Sequence, residues 1–258
     1  MNQQSLFCFG HRGARGHEPE NTVRSMRRAL ELGADGVEVD VYFVEGQLVV
    51  IHDDTLERTT NGHGRVMEKS FAHLRSLDAG RGEKIPTLAE IFDAVDRRAI
   101  INVELKGPHT AAPVVALIEE FVNRERRFPA GELRQEEIST PTGSQRSRSG
   151  TDFGWSFDDF LISSFDHEQI REAKRLRPEI RIGTLIDKAP RELAESAEEL
   201  GAWSLHVSRR WLTAKLVEEA HQRGLKVFVY TVNESEEIAA MRALGVDGVF
   251  SDFPERVV

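Results

Sequence analysis

Apolar and polar positions alternate most sharply between residues 36 and 53, which read GVEVDVYFVEGQLVVIHD. Side chains two apart on a strand share a face, so Val37, Val39 and Val41 point one way and Glu38 and Asp40 the other. A turn at Glu45-Gly46 leads into a second apolar run, Leu48 to Ile51, which stops at His52-Asp53. Two carboxylates on the inward face of an apolar strand cost free energy unless something positive neutralises them. The pattern therefore predicts a cation, or cationic side chains, supplied from elsewhere in the chain.

Further apolar runs of strand length occupy 6–10, 100–106, 161–165, 181–186, 203–207, 226–232 and 248–250. Asn102, Glu104 and Lys106 share one face of their run. Between the runs, apolar residues recur at helical spacing. This predicts helices over 22–32, 87–95, 112–127, 166–176, 190–200, 213–223 and 234–244. Asn21 is the expected N-cap of the first, Gly33 its stop, and Thr87 the cap of the second.

Two segments break the rhythm. Residues 54–85 are rich in Thr, Gly, Asn and charge, with a short helix expected near 71–77. That is too long for a simple connection, so the segment is read as functional or as a small subdomain. Residues 129–158 are polar and almost free of aliphatics, and read as a mobile surface insertion with Trp155 and Phe157 anchoring its end.

Eight strands separated by helices imply a parallel sheet. The 258 residues suit one closed α/β barrel of the TIM (β/α)8 type spanning 1–258, and no GxGxxG motif points to an open doubly wound sheet. The chain runs only eight residues past Phe250, so the last barrel helix is nearly missing.

Composition narrows the partners. A net charge of −9 argues against nucleic acid or an anionic membrane as the main partner. The single cysteine, Cys8, excludes a disulfide framework and a thiolate metal cluster. The opening residues, MNQQSLFCFGHRG, lack a signal-peptide pattern, and no stretch has the length to span a bilayer. The expectation is a soluble cytoplasmic protein without integral membrane association.

A barrel of this kind carries its site at the C-terminal ends of its strands. His11-Arg12, Glu38, Asp40, His52, Glu104, Lys106, Ser163-Ser164 and Tyr230 to Asn233 fall there. Three carboxylates from two strands, with no thiolate, form an oxygen-rich site for one divalent cation, Mg2+ or Ca2+. The same pattern also fits a salt-bridged interior in which Glu38 and Glu104 pair with Arg12 and Lys106. His11 and His52 suit general acid and base catalysis, since an unperturbed histidine titrates near neutrality, or are simply satisfied loop histidines. Arg12 and Lys106 beside a divalent ion suit an anionic substrate, most naturally a phosphate. His17, His63, His73, His109, His167 and His221 are read as surface residues.

His11-Arg12-Gly13, Pro19-Glu20-Asn21-Thr22, Glu38-Val39-Asp40, His52-Asp53 and Val103-Glu104-Leu105-Lys106 together resemble the glycerophosphodiester phosphodiesterase family. So do the stretches 56–62, 230–233 and 247–252, and the resemblance runs from Phe9 to Pro254. It implies a TIM barrel with a small insertion after the second strand, matching 54–85. It also implies a divalent cation on Glu38, Asp40 and Glu104, catalytic histidines at His11 and His52, and a phosphodiester held by Arg12 and Lys106. Glu20 is expected to support His11 or Arg12. The reaction implied is cleavage of a small-molecule glycerophosphodiester to sn-glycerol 3-phosphate and an alcohol. Alternatives are lysophospholipase D-type hydrolysis of lysophospholipids and a non-catalytic phosphate-ester binding barrel. The 129–158 insertion is outside the family pattern, and Trp203, His206 and Trp211 lie where the family varies.

Overall fold

Along β2 (Gly36–Val44) the alternation decides which side becomes core. Val37, Val39 and Val41 are fully buried against Met26, Ala29, Ile91, Phe92, Val114 and Ile118 of the surrounding helices. Burial of each such side chain contributes roughly 1.5–3 kcal/mol. That face therefore packs outward, and Glu38 and Asp40 are left on the barrel interior.

The computed structural model describes residues 5–127, 154–187 and 193–258. Within them β1 (Phe7–Gly10), β2, β4 (Ile100–Leu105), β5 (Phe160–Ser164), β6 (Arg181–Ile186), β7 (Ser204–Ser208), β8 (Lys226–Tyr230) and β9 (Gly248–Ser251) pair in parallel. β1 pairs with β2 on one side (Phe9 opposite Gly36) and with β9 on the other (Phe7 opposite Gly248). The sheet thus closes on itself as a TIM barrel. β3 (Gln47–Val50) extends it as an antiparallel flap on β2, with Val41 opposite Val50.

Helices α1 (Val23–Glu31), α3 (Leu88–Val95), α4 (Ala111–Arg127), α5 (His167–Leu176), α6 (Leu193–Glu199), α7 (Ala214–Gln222) and α8 (Ser235–Leu244) alternate with the barrel strands. β9 is followed by a 3-10 turn at Pro254–Arg256. None of the helices among the described residues is long and apolar enough to cross a membrane. The expected 190–200 helix is observed from Leu193, the residues just before it lying outside the described ones.

Two helix starts show how local sequence sets the ends. Thr87 caps α3, as expected, and does so in a reciprocal capping box with Glu90. For α1 the cap is Thr22 rather than Asn21: its hydroxyl accepts from the Ser25 N–H while the Ser25 hydroxyl accepts from the Thr22 N–H. Asn21 lies one residue earlier with φ +57°, and its side chain is committed elsewhere.

The floor of the barrel is aromatic. Phe9 stacks on Phe250 at 5.0 Å and meets Phe228 edge-on at 5.4 Å, with Ile100 and Leu161 completing a buried plug. Residues 54–85 carry a satellite core of their own. Leu56, Val66, Leu74 and Ile85 are buried against Tyr42, Val44, Val49 and Ile51, with α2 (Phe71–Ser76) as its one α-helix beside a 3-10 turn at Val66–Glu68. Most of the 129–158 insertion lies outside the described residues, but its end is fixed: Trp155 is buried and stacks on Phe160 at 5.0 Å.

Candidate active site

The turn after β1 is built so that its backbone faces the barrel mouth. Arg12 adopts a left-handed conformation (φ +53°), a strained choice for a side chain of its size. Three hydrogen bonds hold it there. Its N–H donates to Glu38 Oε2 at 2.8 Å, and its carbonyl accepts from the Asn21 N–H at 3.0 Å and the Ser25 hydroxyl at 2.9 Å. Gly13 follows at φ +80°, where a Cβ would lie 2.4 Å from the Ser25 hydroxyl oxygen. Only glycine fits that approach.

A cavity of about 220 Å3 opens at the C-terminal end of the barrel. His11, Arg12, Glu38, His52, Glu104 and Lys106 line it, together with Phe165, Leu185, Tyr230 and Phe250. Asp40 is absent from the wall because it is buried behind it, at 1 % exposure. Glu38, Asp40 and Glu104 each offer a carboxylate oxygen, and these three atoms lie within 4.8 Å of one another. The strand register produces this, since Asp40 on β2 stands opposite Glu104 on β4.

Cationic side chains reach this cluster but do not saturate it. Lys106 Nζ is 2.8 Å from Glu104 Oε1 and 3.7 Å from Asp40 Oδ1, and Arg12 Nε is 3.4 Å from Asp40 Oδ2. Asn21 Nδ2 donates to Asp40 Oδ2 at 2.9 Å. Glu38 Oε1 and Asp40 Oδ1 are buried without a hydrogen-bond partner. Burial, then the charges of Asp40 and Glu104, push Glu38 well above the ordinary carboxylate range. Burial and the Asp40 charge push Glu104 up to about 7. Buried carboxylates that would rather hold protons are short of positive charge. Unpartnered oxygens and an all-oxygen donor set fit a hard divalent cation.

Each histidine is oriented by a carboxylate. His11 Nδ1 is 2.7 Å from Asp252 Oδ1, and His52 Nδ1 is 2.6 Å from Asp53 Oδ1. The carboxylates accept from Nδ1–H, which leaves each Nε2 unprotonated in the neutral ring and turned away from its carboxylate. His52 Nε2 lies 3.4 Å from Lys106 Nζ. Burial lowers the pKa of both rings, helped by the Arg12 charge and, at His52, by Lys106, while the carboxylates oppose it. Asp252 is itself positioned, its N–H donating to Asn233 Oδ1 and its Oδ2 accepting from Asn233 Nδ2, both at 2.9 Å.

The structure brings His11, Arg12, Glu38, Asp40, His52, Glu104 and Lys106 together. Glu20 meets Arg12, at 2.7 Å from Nη1. Sequence reasoning missed Asp252 and Asp53 as partners of the histidines, and Asn21 as a partner of Asp40. Asp53 was visible as the neighbour of His52, whereas Asp252 lies 241 residues from His11 and no local pattern connects them. His206 does not line the cavity. It is buried beside Phe228 and Phe250, with Nε2 2.9 Å from the Ser204 hydroxyl.

Comparison with known proteins shows the family and the fold. The model of the glycerophosphoryl diester phosphodiesterase family matches residues 11–256. The chain is similar to a glycerophosphodiester phosphodiesterase of Caldanaerobacter subterraneus, 34% identical, with 98% of this chain and 96% of the relative covered. It is likewise similar to one of Bacillus altitudinis, 31% identical, with 97% and 96% covered. Among solved structures it resembles an Oleispira antarctica phosphodiesterase in complex with the product sn-glycerol 3-phosphate. That match has a TM-score of 0.78 and 29% identity, and covers 98% of this chain and 95% of the other.

Proposed function

The chain belongs to the glycerophosphoryl diester phosphodiesterase family and is an enzyme of that kind, and we propose that it releases sn-glycerol 3-phosphate and an alcohol by histidine acid–base catalysis with one divalent cation. The observation that carries this reading is a cluster of three buried carboxylates, Glu38 and Glu104 on the cavity wall and Asp40 behind it, beside two cavity histidines whose Nδ1 atoms are each tied to a carboxylate.

Glu38, Asp40 and Glu104 would hold the cation, Mg2+ or Ca2+. When bound, it supplies positive charge against the oxygens of the phosphodiester and of its transition state. Arg12 and Lys106 bind the same anion from the side, offsetting the charge that repels a nucleophile. One histidine takes a proton at Nε2 from the nucleophile, either water or the adjacent glycerol hydroxyl, the latter giving a cyclic phosphate that water then opens to sn-glycerol 3-phosphate. The other donates a proton from Nε2 to the leaving alkoxide. Asp53 and Asp252 keep both rings in the required tautomer. The product in the Oleispira structure supports sn-glycerol 3-phosphate as the product here.

Among the described residues lining the cavity, Phe165 is the one large apolar side chain that is exposed, at 43 %. A lysophospholipid chain calls for a contiguous apolar surface, so small deacylated diesters are the favoured substrates. The test is a coupled assay of glycerol 3-phosphate release over a panel of glycerophosphodiesters and lysophospholipids, with EDTA, Mg2+ or Ca2+. Release from the small diesters that needs the ion is expected. Inactivity toward all of them would overturn the reading, and turnover of lysophospholipids alone would replace it with the lysophospholipase D reaction.

A further inference from the structure

Arg58 stands outside the cavity wall, on the segment that follows β3, yet it touches the partners of two cavity residues. Its Nε donates to Asp53 Oδ2 at 2.5 Å and its Nη2 to Asp53 Oδ1 at 2.9 Å. The adjacent edge of the guanidinium, sharing Nη2, grips Glu20, Nη1 to Oε2 and Nη2 to Oε1, both at 2.8 Å. Asp53 Oδ1 also accepts from His52, and Glu20 Oε1 also accepts from Arg12. We propose that Arg58 is a positioning residue that ties His52 and Arg12 to one frame, acting through Asp53 and Glu20. This rests on the acid–base role of His52 and the phosphodiester-binding role of Arg12 given above.

The guanidinium is a rigid planar fork. With one edge on each carboxylate, neither can rotate without breaking a charge-assisted pair. The carboxylate that orients His52 and the carboxylate that anchors the substrate-binding arginine are thus held by one guanidinium. Without Arg58 two carboxylates would face each other with no cation between them. Exposed ion pairs usually contribute little, but this one is bidentate on both sides, and its carboxylates are only 24 % (Asp53) and 11 % (Glu20) exposed. All three groups stay charged at neutral pH. Although burial opposes it, hydrogen bonds from Arg58 and Arg12 hold Glu20 at about 2, and Arg58 and His52 hold Asp53 lower still.

The backbone beneath Arg58 is also fixed. Leu56, two residues earlier, is fully buried in the satellite core, and its N–H donates to the Gly64 carbonyl at 3.0 Å. The 54–85 segment therefore carries a side chain that acts on both halves of the site, which gives this insertion a catalytic consequence beyond packing.

The test uses the full chain with glycerophosphocholine and saturating Mg2+ or Ca2+. Arg58→Ala is expected to lower kcat and raise KM together, with kcat/KM falling roughly 10- to 100-fold. Arg58→Lys, which keeps the charge but not the fork, does not restore it, whereas added guanidinium ion partly rescues Arg58→Ala. Asp53→Asn should act mainly on kcat and Glu20→Gln mainly on KM, and Arg58→Ala combined with either should cost less than the product of the single losses. Wild-type kcat and KM in Arg58→Ala would overturn the proposal, as would losses that simply multiply and ignore guanidinium. Arg58→Gln takes its place if Arg58→Ala does not fold. Failure of the functional reading is separately visible, as an inactive wild-type enzyme or an unimpaired His52→Ala variant.

Discussion

Asp252 Oδ1 stands 2.7 Å from His11 Nδ1, joining the end of β9 to the end of β1 where the barrel closes. His52 has its own carboxylate next door in sequence, at 2.6 Å. In the proposed mechanism these two pairs supply the acid and the base. His11→Ala and His52→Ala should each lower kcat by at least about 10²-fold. Asp252→Asn keeps the shape but no longer holds His11 Nδ1–H against a charge, so a smaller loss is expected, on the order of 10-fold or more. Steady-state kinetics on folded variants checks this, and an Asp252→Asn enzyme with wild-type kcat removes Asp252 from the mechanism.

Removal of the ion should abolish turnover, and its binding should be visible without any assay of activity. Mg2+ or Ca2+ at 100 times its dissociation constant stabilises the folded protein by about 2.7 kcal/mol. The melting temperature should therefore rise with ion concentration in the wild type. In Glu38→Gln the rise should shrink or vanish, because Glu38 brings an oxygen without a partner in the protein. An equal rise in both proteins would place the ion elsewhere.

His206 makes stability sensitive to acid. Burial pushes its pKa down to about 3, below its ordinary value of 6.5. The unfolded chain therefore takes up a proton below about pH 6.5 that the folded protein refuses. The stability that depends on a neutral ring is complete above that pH and is lost progressively as pH falls toward 3, at up to about 1.4 kcal/mol per pH unit. Urea denaturation at pH 7 and pH 5 should show a steeper loss in the wild type than in His206→Gln. Parallel losses would mean the ring is not held neutral.

Gly13→Ala attacks the turn rather than the chemistry. Its φ of +80° is costly for alanine, and the added methyl would collide with Ser25. A loss above about 1 kcal/mol is expected. Activity should fall as well, because the same turn carries His11 and Arg12. Chemical denaturation together with kcat/KM checks both, and an unchanged midpoint would show that the turn has room to relax.

Much of this protein is determined by short-range sequence. The period of two along residues 37–41 places Glu38 and Asp40 on one face whatever surrounds them, and the same rule aligns Asn102, Glu104 and Lys106. The alternation of strands and helices, with the length of the chain, points to the barrel. Thr87 and Glu90 announce a helix start because a capping box is complete within four residues. His52 and Asp53 are adjacent, so their pairing needs only a rotamer.

What only the tertiary structure decided are the contacts that barrel closure and the 54–85 segment create. The β1–β9 pairing brings Asp252 to His11 across 241 residues. Asn21 looks like a helix cap from sequence, since capping and left-handed turns favour the same short polar side chains. The capping box of Thr22 and Ser25 displaces it, and its amide goes to Asp40. Arg58 carries no local sign of its role, because its two carboxylates come from separate turns and meet only when the satellite core seats Leu56. Periodicity fixes which face a residue takes, whereas distances between faces from remote segments are set by the packing that closes the barrel.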